Sequence, residues 1–219
     1  MKKCVYTIAI NNWFPELCSI TLPLIKLWAD KINADFHVIS KPLYTDWPPN
    51  CEKMQIWQLG KNYDWNIYLD ADMVVNPDKM PDFTLQDQKF FYYEAHLFNN
   101  VCFQPHPYFI RDGRNVGVSD CFLISSAMTH DLWHPPIMDF EEAKKYCRLN
   151  ERMVIEFVIS LNIARFGLKG MGSIGPDKNH FHLQTTDNFN RPFNGGKKEM
   201  TKEEHIARAL EMKKKLGIK

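Results

Sequence analysis

The chain has 219 residues, a length that fits one α/β domain with a core large enough to be stable unaided. Hydrophobic residues make up 45% of the chain and charged residues 24%, which is typical of a soluble globular protein. The formal net charge is only +1, which argues against a nucleic-acid-binding protein that works by neutralising phosphates.

Neither the apolar runs nor the cysteines indicate a membrane-spanning or secreted protein. No apolar run approaches the roughly 20 residues that a membrane span needs. Residues 1–10 have too short an apolar part for a signal peptide, and Asn11 follows without a cleavage site. The six cysteines include no Cys-x-x-Cys pair, so neither a zinc site nor a disulfide framework is indicated. Free thiols fit a reducing compartment, and we therefore expect a cytoplasmic protein.

Predicted strands and helices alternate through the first half of the chain. Residues 4–10 form the first predicted strand, and Thr21 can cap a helix that carries Pro23 in its first turn. Residues 36–39 form a second short strand. The proline-rich residues 41–50 that follow must be a loop.

A helix and an apolar strand then lead to a pair of aspartates. Residues 52–60 have a helical pattern that ends at Gly60, and residues 66–69 form the strand. In extended backbone, residues i and i+2 point the same way, so Asp70 and Asp72 can present their carboxylates to one point. Two hard oxygen ligands there suit a divalent cation that holds a phosphate group. The alternative is that the aspartates only end the strand, since Asp is common in turns.

The second half of the chain has a less regular order of elements. Further strands are predicted at residues 89–94 and 121–125, and helices at residues 140–149 and 151–166. A Thr-x-x-Glu capping box that begins at Thr201 starts a last helix. This order predicts an α/β protein with a mainly parallel, doubly wound central sheet flanked by helices. Ligands of such sheets bind beyond the carboxyl ends of the strands.

The last helix, about residues 201–216, carries many of the basic residues near the end of the chain. The most direct interpretation is a solvated outer face, and the alternative is a weak peripheral contact with a membrane surface. We therefore place the main domain at residues 1–196. A basic amphipathic helix at residues 197–219 is expected to pack on or beside it.

One segment of the chain carries, in order, a lysine that opens a helix, a Tyr-Asp turn, an apolar strand and Asp-Ala-Asp. This combination resembles the metal-binding segment of glycosyltransferases with the single-domain, Rossmann-like GT-A fold. The likeness is greatest to the glycogenin-like and bacterial galactosyltransferase group, called GT8. In that family the Asp-x-Asp pair chelates manganese on the diphosphate of a nucleotide sugar. The resemblance implies that Asp70 and Asp72 hold Mn²⁺ or Mg²⁺, and that Ala71 and Lys53 lie at the donor.

The end of the first strand matches the place where GT-A enzymes hold the base and ribose, largely through backbone groups. The resemblance therefore implies that Thr7, Ala9 and Asn11 contact the nucleotide. Nucleotidyltransferases on a related fold place a Gly-rich phosphate loop here, and no glycine precedes Gly60 in this chain. This absence argues against a nucleotidyltransferase that acts on a sugar phosphate.

A metal site made of only two carboxylates would be poor, so we expect a third ligand later in the chain. His180 and His182 are the candidates; we expect one to face the site and the other to face away, and we favour His182. The resemblance implies that a late histidine completes the metal site and that a following Lys-Pro-Trp binds the diphosphate. This chain has Arg191-Pro192-Phe193 instead, and Arg191 can hold a diphosphate bidentately. The alternative for His182 is a sheet-edge histidine without metal.

The catalytic candidates come from two segments that resemble parts of the family. Residues 111–120 resemble the Asn-x-Gly-Val stretch that touches the donor sugar, which implies roles for Asn115 and Asp120; a plain loop is the alternative. Residues 151–157 take the place of the family's Asp-Gln helix, where an acidic side chain binds sugar hydroxyls. Glu156 is the candidate there and Glu151 the alternative, although the family's Gln has no counterpart.

These observations predict a metal-dependent glycosyltransferase that moves a sugar from a nucleoside diphosphate sugar, foremost a UDP-sugar, to a carbohydrate or other acceptor. The family relation implies retention of the anomeric configuration. Two alternatives remain open. A nucleotidyltransferase would release pyrophosphate, and a non-catalytic sugar-binding module would keep the fold without turnover.

Overall fold

The computed structural model describes residues 1–94, 121–147, 153–174, 180–183 and 200–218. Within these ranges it contains eight strands and five α-helices, with short 3-10 helices between them. In chain order the elements are β1 (Lys3–Ile8), α1 (Pro15–Lys31), β2 (Asp35–Ile39), α2 (Ile56–Leu59), β3 (Trp65–Leu69), β4 (Met73–Val75), β5 (Phe90–Glu94), β6 (Phe122–Ser126), α3 (Phe140–Lys144), α4 (Val154–Phe166), β7 (Lys169–Ile174), β8 (His180–His182) and α5 (Lys202–Lys215).

Six of these strands form a central sheet in the order β2-β1-β3-β6-β5-β7. The strand β1 is parallel to both β2 and β3, and β5 is parallel to β7. Only β6 is antiparallel to its neighbours β3 and β5. Five of the six strands therefore run in one direction, which confirms the predicted mainly parallel α/β sheet. The strands β4 and β8 form a separate antiparallel pair.

Two layers of apolar side chains cover the two faces of the sheet, because successive residues of a strand point to opposite faces. In β1, Cys4 and Tyr6 belong to the layer that includes α4, and Val5 belongs to the layer that includes α1. Ala209 and Met212 of α5 are buried in this second layer. The helices thus flank the sheet on both sides.

The first helix begins at Pro15, six residues before the predicted cap at Thr21, so that prediction was wrong. Proline suits the first position of a helix, where its missing N–H would have no partner in any case. The preceding Phe14 has left-handed backbone angles, with φ of 41°. Thr21 therefore lies inside α1, where its hydroxyl is buried and makes a distant contact described below.

The predicted helix at residues 52–60 is two elements, a 3-10 helix over Pro49–Gln55 and the short α2. Gly60 ends α2 as predicted, but its φ of −89° is open to any residue. A β-carbon at this position would lie 2.3 Å from Oδ1 of Asn66. Glycine is required here by the close approach of β3 rather than by the turn.

A buried polar contact ties α2 to β3. The amide nitrogen of Asn66 lies 3.3 Å from the carbonyl oxygen of Gly60 and 3.2 Å from Nδ1 of His130. A carbonyl oxygen can only accept, so the amide donates to both, and Nδ1 of His130 is an acceptor. The Nε2–H of His130 then donates to the carbonyl oxygen of Trp57 at 3.0 Å. Burial lowers the pKa of His130 despite this hydrogen bond, so the ring is neutral.

Acidification is expected to destabilise the fold through His130. Because its pKa is lower in the folded protein, the unfolded chain binds the proton first once the pH falls below about 6.5. The contribution of His130 to the free energy of unfolding should have its full value above that pH. It should decrease as the pH falls further, and the decrease should end once the pH is below the pKa of His130 in the folded protein. His130→Gln should remove this part of the pH dependence, at a cost of about 1 kcal/mol for the altered hydrogen bonds.

Urea unfolding measured from about pH 5 to pH 8 tests this expectation. The matched control is His37→Gln, which makes the same change at an exposed position of β2. His37→Gln leaves the contacts of His130 unchanged, so the loss of stability that His130 causes on acidification should persist in this variant. An unchanged pH dependence in His130→Gln would contradict the expectation.

The last helix, α5, begins at the predicted capping box. The Glu204 N–H donates to Oγ1 of Thr201 at 3.2 Å, and the Thr201 N–H donates to the Glu204 carboxylate at 2.6 Å. The helix packs against α1 and β4. Its end is held by Asn76, whose amide donates to the carbonyl oxygen of Leu216 at 2.6 Å. Across the described ranges, no helix combines the length and the apolar character needed to cross a membrane.

Candidate active site

The Asp-Ala-Asp segment, residues 70–72, lies in a turn where the chain leaves the central sheet. The Asp70 N–H donates to the carbonyl oxygen of Cys121 at 2.9 Å, as the last contact with the neighbouring strand. The Met73 N–H then donates to the carbonyl oxygen of Asp70 at 3.1 Å, which closes the turn. The prediction that Asp70 and Asp72 lie in extended backbone was therefore wrong. The chain must turn because β4 pairs with β8 instead of continuing β3.

Two distant parts of the chain hold this turn in place. The Thr21 hydroxyl of α1 donates to the carbonyl oxygen of Ala71 at 2.5 Å, and Thr21 is fully buried. The Leu183 N–H, directly after β8, donates to the carbonyl oxygen of Asp72 at 3.1 Å. Both bonds use backbone carbonyl groups of the turn, so they fix its path without using the carboxylates.

The carboxylate of Asp70 lies beside a buried lysine and a tyrosine hydroxyl. The Tyr68 hydroxyl donates to Oδ1 of Asp70 at 2.6 Å. Nζ of Lys53 lies 3.8 Å from the same oxygen and 4.5 Å from the centre of the Tyr68 ring. The Lys53 side chain is 1% exposed and that of Asp70 is 25% exposed. The structure thus brings together Lys53 and Asp70, two of the residues singled out in the sequence.

The second aspartate, Asp72, is 6% exposed and lies near the first half of α1. Its negative charge adds to burial, the larger effect, in raising the pKa of the Cys18 thiol to about 11. The thiol donates to the carbonyl oxygen of Trp13 at 3.2 Å. A thiol with this pKa is protonated at neutral pH when no metal ion is bound.

The predicted nucleotide contacts are Thr7, within the last residues of β1, and Ala9 and Asn11, just after it. Because β1 and β3 are parallel neighbours, their carboxyl ends meet at the same edge of the sheet. The Ala9 N–H is already used, since it donates to the carbonyl oxygen of Ile39 at 3.0 Å. Thr7 is 0% exposed, so its side chain lies in the core. Asn11 is exposed.

The loop that contains Asn11 has unusual backbone angles. Asn11, Asn12 and Phe14 have φ values of 53°, 57° and 41°, in the left-handed region that non-glycine residues seldom adopt. Such angles persist only where the surrounding structure enforces them, and they concentrate at ligand-binding sites. Asparagine adopts such angles more readily than other residues, so the backbone strain of this loop is concentrated at Phe14.

The two histidines of β8 differ in their position along the strand. His182 lies opposite Met73, next to the turn, and His180 lies opposite Val75. The expectation that these residues face opposite sides was wrong, because strand residues two apart share a face. His180 is buried and contacts the Phe122 ring edge-to-face, with 5.4 Å between the ring centres. His180 is therefore a core residue. The backbone of His182 lies beside the Asp-Ala-Asp turn.

The structure describes only some of the other predicted site residues. Asn115, Asp120 and Arg191 lie outside the described residues. Glu156 lies in the first turn of α4 and is half-buried. The helix α4 contacts the 3-10 helix that carries Lys53, so Glu156 belongs to an element that borders the site.

The described residues meet the needs of a divalent cation in part. Among them, no group of three His, Cys, Asp or Glu side chains is placed to hold a metal ion. The carboxylates of Asp70 and Asp72 are nevertheless hard oxygen donors on a turn fixed from two sides, which is the chemistry that Mn²⁺ and Mg²⁺ require. A third protein ligand would come from β8, whose backbone adjoins Asp72.

Sequence reasoning missed two residues that support this turn. Thr21 was interpreted as a helix cap, and Tyr68 as part of an apolar strand. Tyr68 could have been found, because a tyrosine two residues before Asp70 can share its side of the chain. No local pattern identifies Thr21, whose partner Ala71 is 50 residues away.

Comparisons with known proteins agree with this architecture at the level of the fold. No protein-family model and no curated protein matches the sequence. The structure is similar to that of a glycosyltransferase involved in the glycosylation of the major capsid of PBCV-1, at 11% identity and a TM-score of 0.53, over 96% of this chain and 100% of that chain.

Two further similarities are weaker. The galactosyltransferase LgtC in complex with donor and acceptor sugar analogues matches at 13% identity and a TM-score of 0.45, over 71% of this chain and 70% of that chain. A mutant of Drosophila β-1,4-galactosyltransferase 7 in complex with manganese, UDP-Gal and xylobiose matches at 14% identity and a TM-score of 0.43. The match covers 87% of this chain and 78% of that chain. The likeness to the PBCV-1 enzyme shows that this chain has the α/β fold of GT-A glycosyltransferases.

Proposed function

We propose that this protein is a metal-dependent glycosyltransferase that moves a sugar from a UDP-sugar to a carbohydrate or other acceptor, with retention of configuration. The observation that carries the proposal is the Asp-Ala-Asp turn at the carboxyl edge of β1 and β3, with the buried Lys53 beside Asp70. The fold shared with a glycosyltransferase supports it. Ligands of parallel sheets bind at this edge.

In this proposal Asp70 and Asp72 hold Mn²⁺ or Mg²⁺, with His182 as the third protein ligand. The ion, when bound, would act as a Lewis acid that neutralises the charge developing on the leaving diphosphate. Lys53 adds a positive charge in the same region, where its burial keeps the charge poorly screened by water. Both acidic and basic groups thus converge on the place where a diphosphate would lie.

The remaining candidates have positioning roles in the same proposal. Backbone groups of the loop after β1, around Asn11, hold the base and ribose of the donor. Asn115, Asp120 and Glu156 bind hydroxyl groups of the transferred sugar. Arg191 binds the diphosphate bidentately, in place of the lysine that the resemblance leads one to expect.

A panel of nucleotide sugars, screened with and without Mn²⁺, tests the proposal. A bound ligand raises the apparent melting temperature by mass action, so UDP-sugars with Mn²⁺ should stabilise the protein more than either component alone. Slow hydrolysis of the preferred UDP-sugar should release UDP, and a chelator should stop it. Pyrophosphate release in a parallel assay that supplies a nucleoside triphosphate and a sugar phosphate would indicate a nucleotidyltransferase instead. Metal-dependent stabilisation without any turnover would indicate a sugar-binding module.

A further inference from the structure

Tyr68 contacts two of the charged groups of the candidate site, Asp70 and Lys53. It is a central residue of β3, 2% exposed, and its ring lies in the apolar layer with Tyr6 and Leu123. A phenylalanine would fill the same apolar space, and it has no hydroxyl group that needs a hydrogen-bond partner. The Tyr68 hydroxyl has a partner, Oδ1 of Asp70 at 2.6 Å, so its burial is compensated by a short hydrogen bond to a charged group.

The ring of Tyr68 has a second contact, with the ammonium group of Lys53. Nζ lies 4.5 Å from the ring centre, within the range in which the face of an aromatic ring attracts a cation. The same Nζ lies 3.8 Å from Oδ1 of Asp70, which is longer than a hydrogen bond. The tyrosine thus holds the cation with its ring while its hydroxyl occupies the carboxylate oxygen that faces the cation.

We infer that Tyr68 is a positioning residue that orients the Asp70 carboxylate and holds Lys53 in a long ion pair with it, at 3.8 Å, instead of a hydrogen-bonded one. The inference rests on the proposed function, in which Asp70 is a metal ligand. A carboxylate in direct contact with an ammonium group would be a weaker ligand, since its negative charge would already be neutralised. Without the hydroxyl, the carboxylate would also lose one of the contacts that set its rotation about the Cβ–Cγ bond.

The substitution that tests this role is Tyr68→Phe, which removes the hydroxyl and keeps the ring. Mn²⁺ affinity, measured with saturating UDP by the electron paramagnetic resonance signal of the unbound ion, should fall about tenfold, as is usual when the support of a metal ligand is lost. This measurement does not depend on turnover. The melting temperature reports separately whether the variant is folded.

The chain offers a matched control in Tyr92→Phe. Tyr92 is also a buried central-sheet tyrosine, and its hydroxyl donates to the carbonyl oxygen of Asp87 at 2.8 Å, in a contact that involves no candidate ligand. Each substitution removes one partly buried hydrogen bond, so both should lower the melting temperature, and Tyr68→Phe should lower it more because its partner is charged. Only Tyr68→Phe should weaken Mn²⁺ binding. Equal Mn²⁺ affinity in the two variants would overturn the inference.

A third variant separates this inference from the proposed function. Asp72→Asn should abolish Mn²⁺ binding if the turn is the metal site. If Asp72→Asn has that effect and Tyr68→Phe binds Mn²⁺ as the original protein does, the role of Tyr68 is wrong and the metal site stands. If the original protein and Asp72→Asn bind Mn²⁺ alike, the metal site is wrong and the role of Tyr68 is wrong with it.

Discussion

Asp72→Asn is expected to lower Mn²⁺-dependent sugar transfer by at least about a hundredfold, because metal ions contribute several kcal/mol to such reactions and each 1.4 kcal/mol is a factor of ten. The fold should remain intact. Asparagine has the size of aspartate, and the hydrogen bond that holds this residue in the turn comes from the Leu183 N–H to the backbone carbonyl oxygen, which the substitution does not alter. Initial rates at saturating UDP-sugar, with circular dichroism of the same samples, measure both effects.

The control for this substitution lies six residues further along the chain. Asp78→Asn makes the same chemical change at an exposed aspartate, 77% accessible, whose partner is the exposed Lys31. Such surface ion pairs contribute little to stability, so this variant should transfer sugar at the original rate. A folded Asp72→Asn variant with near-normal turnover would remove the Asp-Ala-Asp turn from the proposed metal site.

His182→Ala is expected to weaken Mn²⁺ affinity by about tenfold to a hundredfold, as the loss of a metal ligand or its support does. The physical basis is the position of its backbone, opposite Met73 and next to the turn that contains Asp72. His180→Ala should affect Mn²⁺ affinity less. Its main effect should be on stability, because His180 is buried and its ring packs against Phe122.

The two histidine variants serve as controls for each other. Titration of Mn²⁺ with UDP present gives the affinities, and urea unfolding gives the stabilities. His182→Ala should show the larger loss of affinity and His180→Ala the larger loss of stability. The reverse order of affinities would show that His180 is the ligand, and equal affinities of both variants and the original protein would show that β8 supplies none.

Features that depend on near neighbours in the chain were determined by the sequence itself. The capping box at Thr201, the end of α4 at Gly167 with its left-handed φ of 63°, and the buried strand before Asp70 are all of this kind. Each results from hydrogen bonds or apolar contacts within a few residues, which leave a local pattern. A resemblance to a family, and not spacing, led us to expect Asp70 and Lys53 at one site, and the structure places Lys53 Nζ 3.8 Å from Oδ1 of Asp70.

Tertiary structure alone decided how the candidate site is supported. Thr21 looks like a helix cap because its hydroxyl commonly bonds a local N–H, yet in the fold it donates to Ala71 from inside α1. Gly60 looks like a helix stop, yet the side chain of Asn66 is what excludes a β-carbon there. The Asp-Ala-Asp segment looks extended, yet pairing of β4 with β8 bends it into a turn. In each case the deciding partner is distant or in a different element, and no local pattern specifies which partner a buried polar group will find.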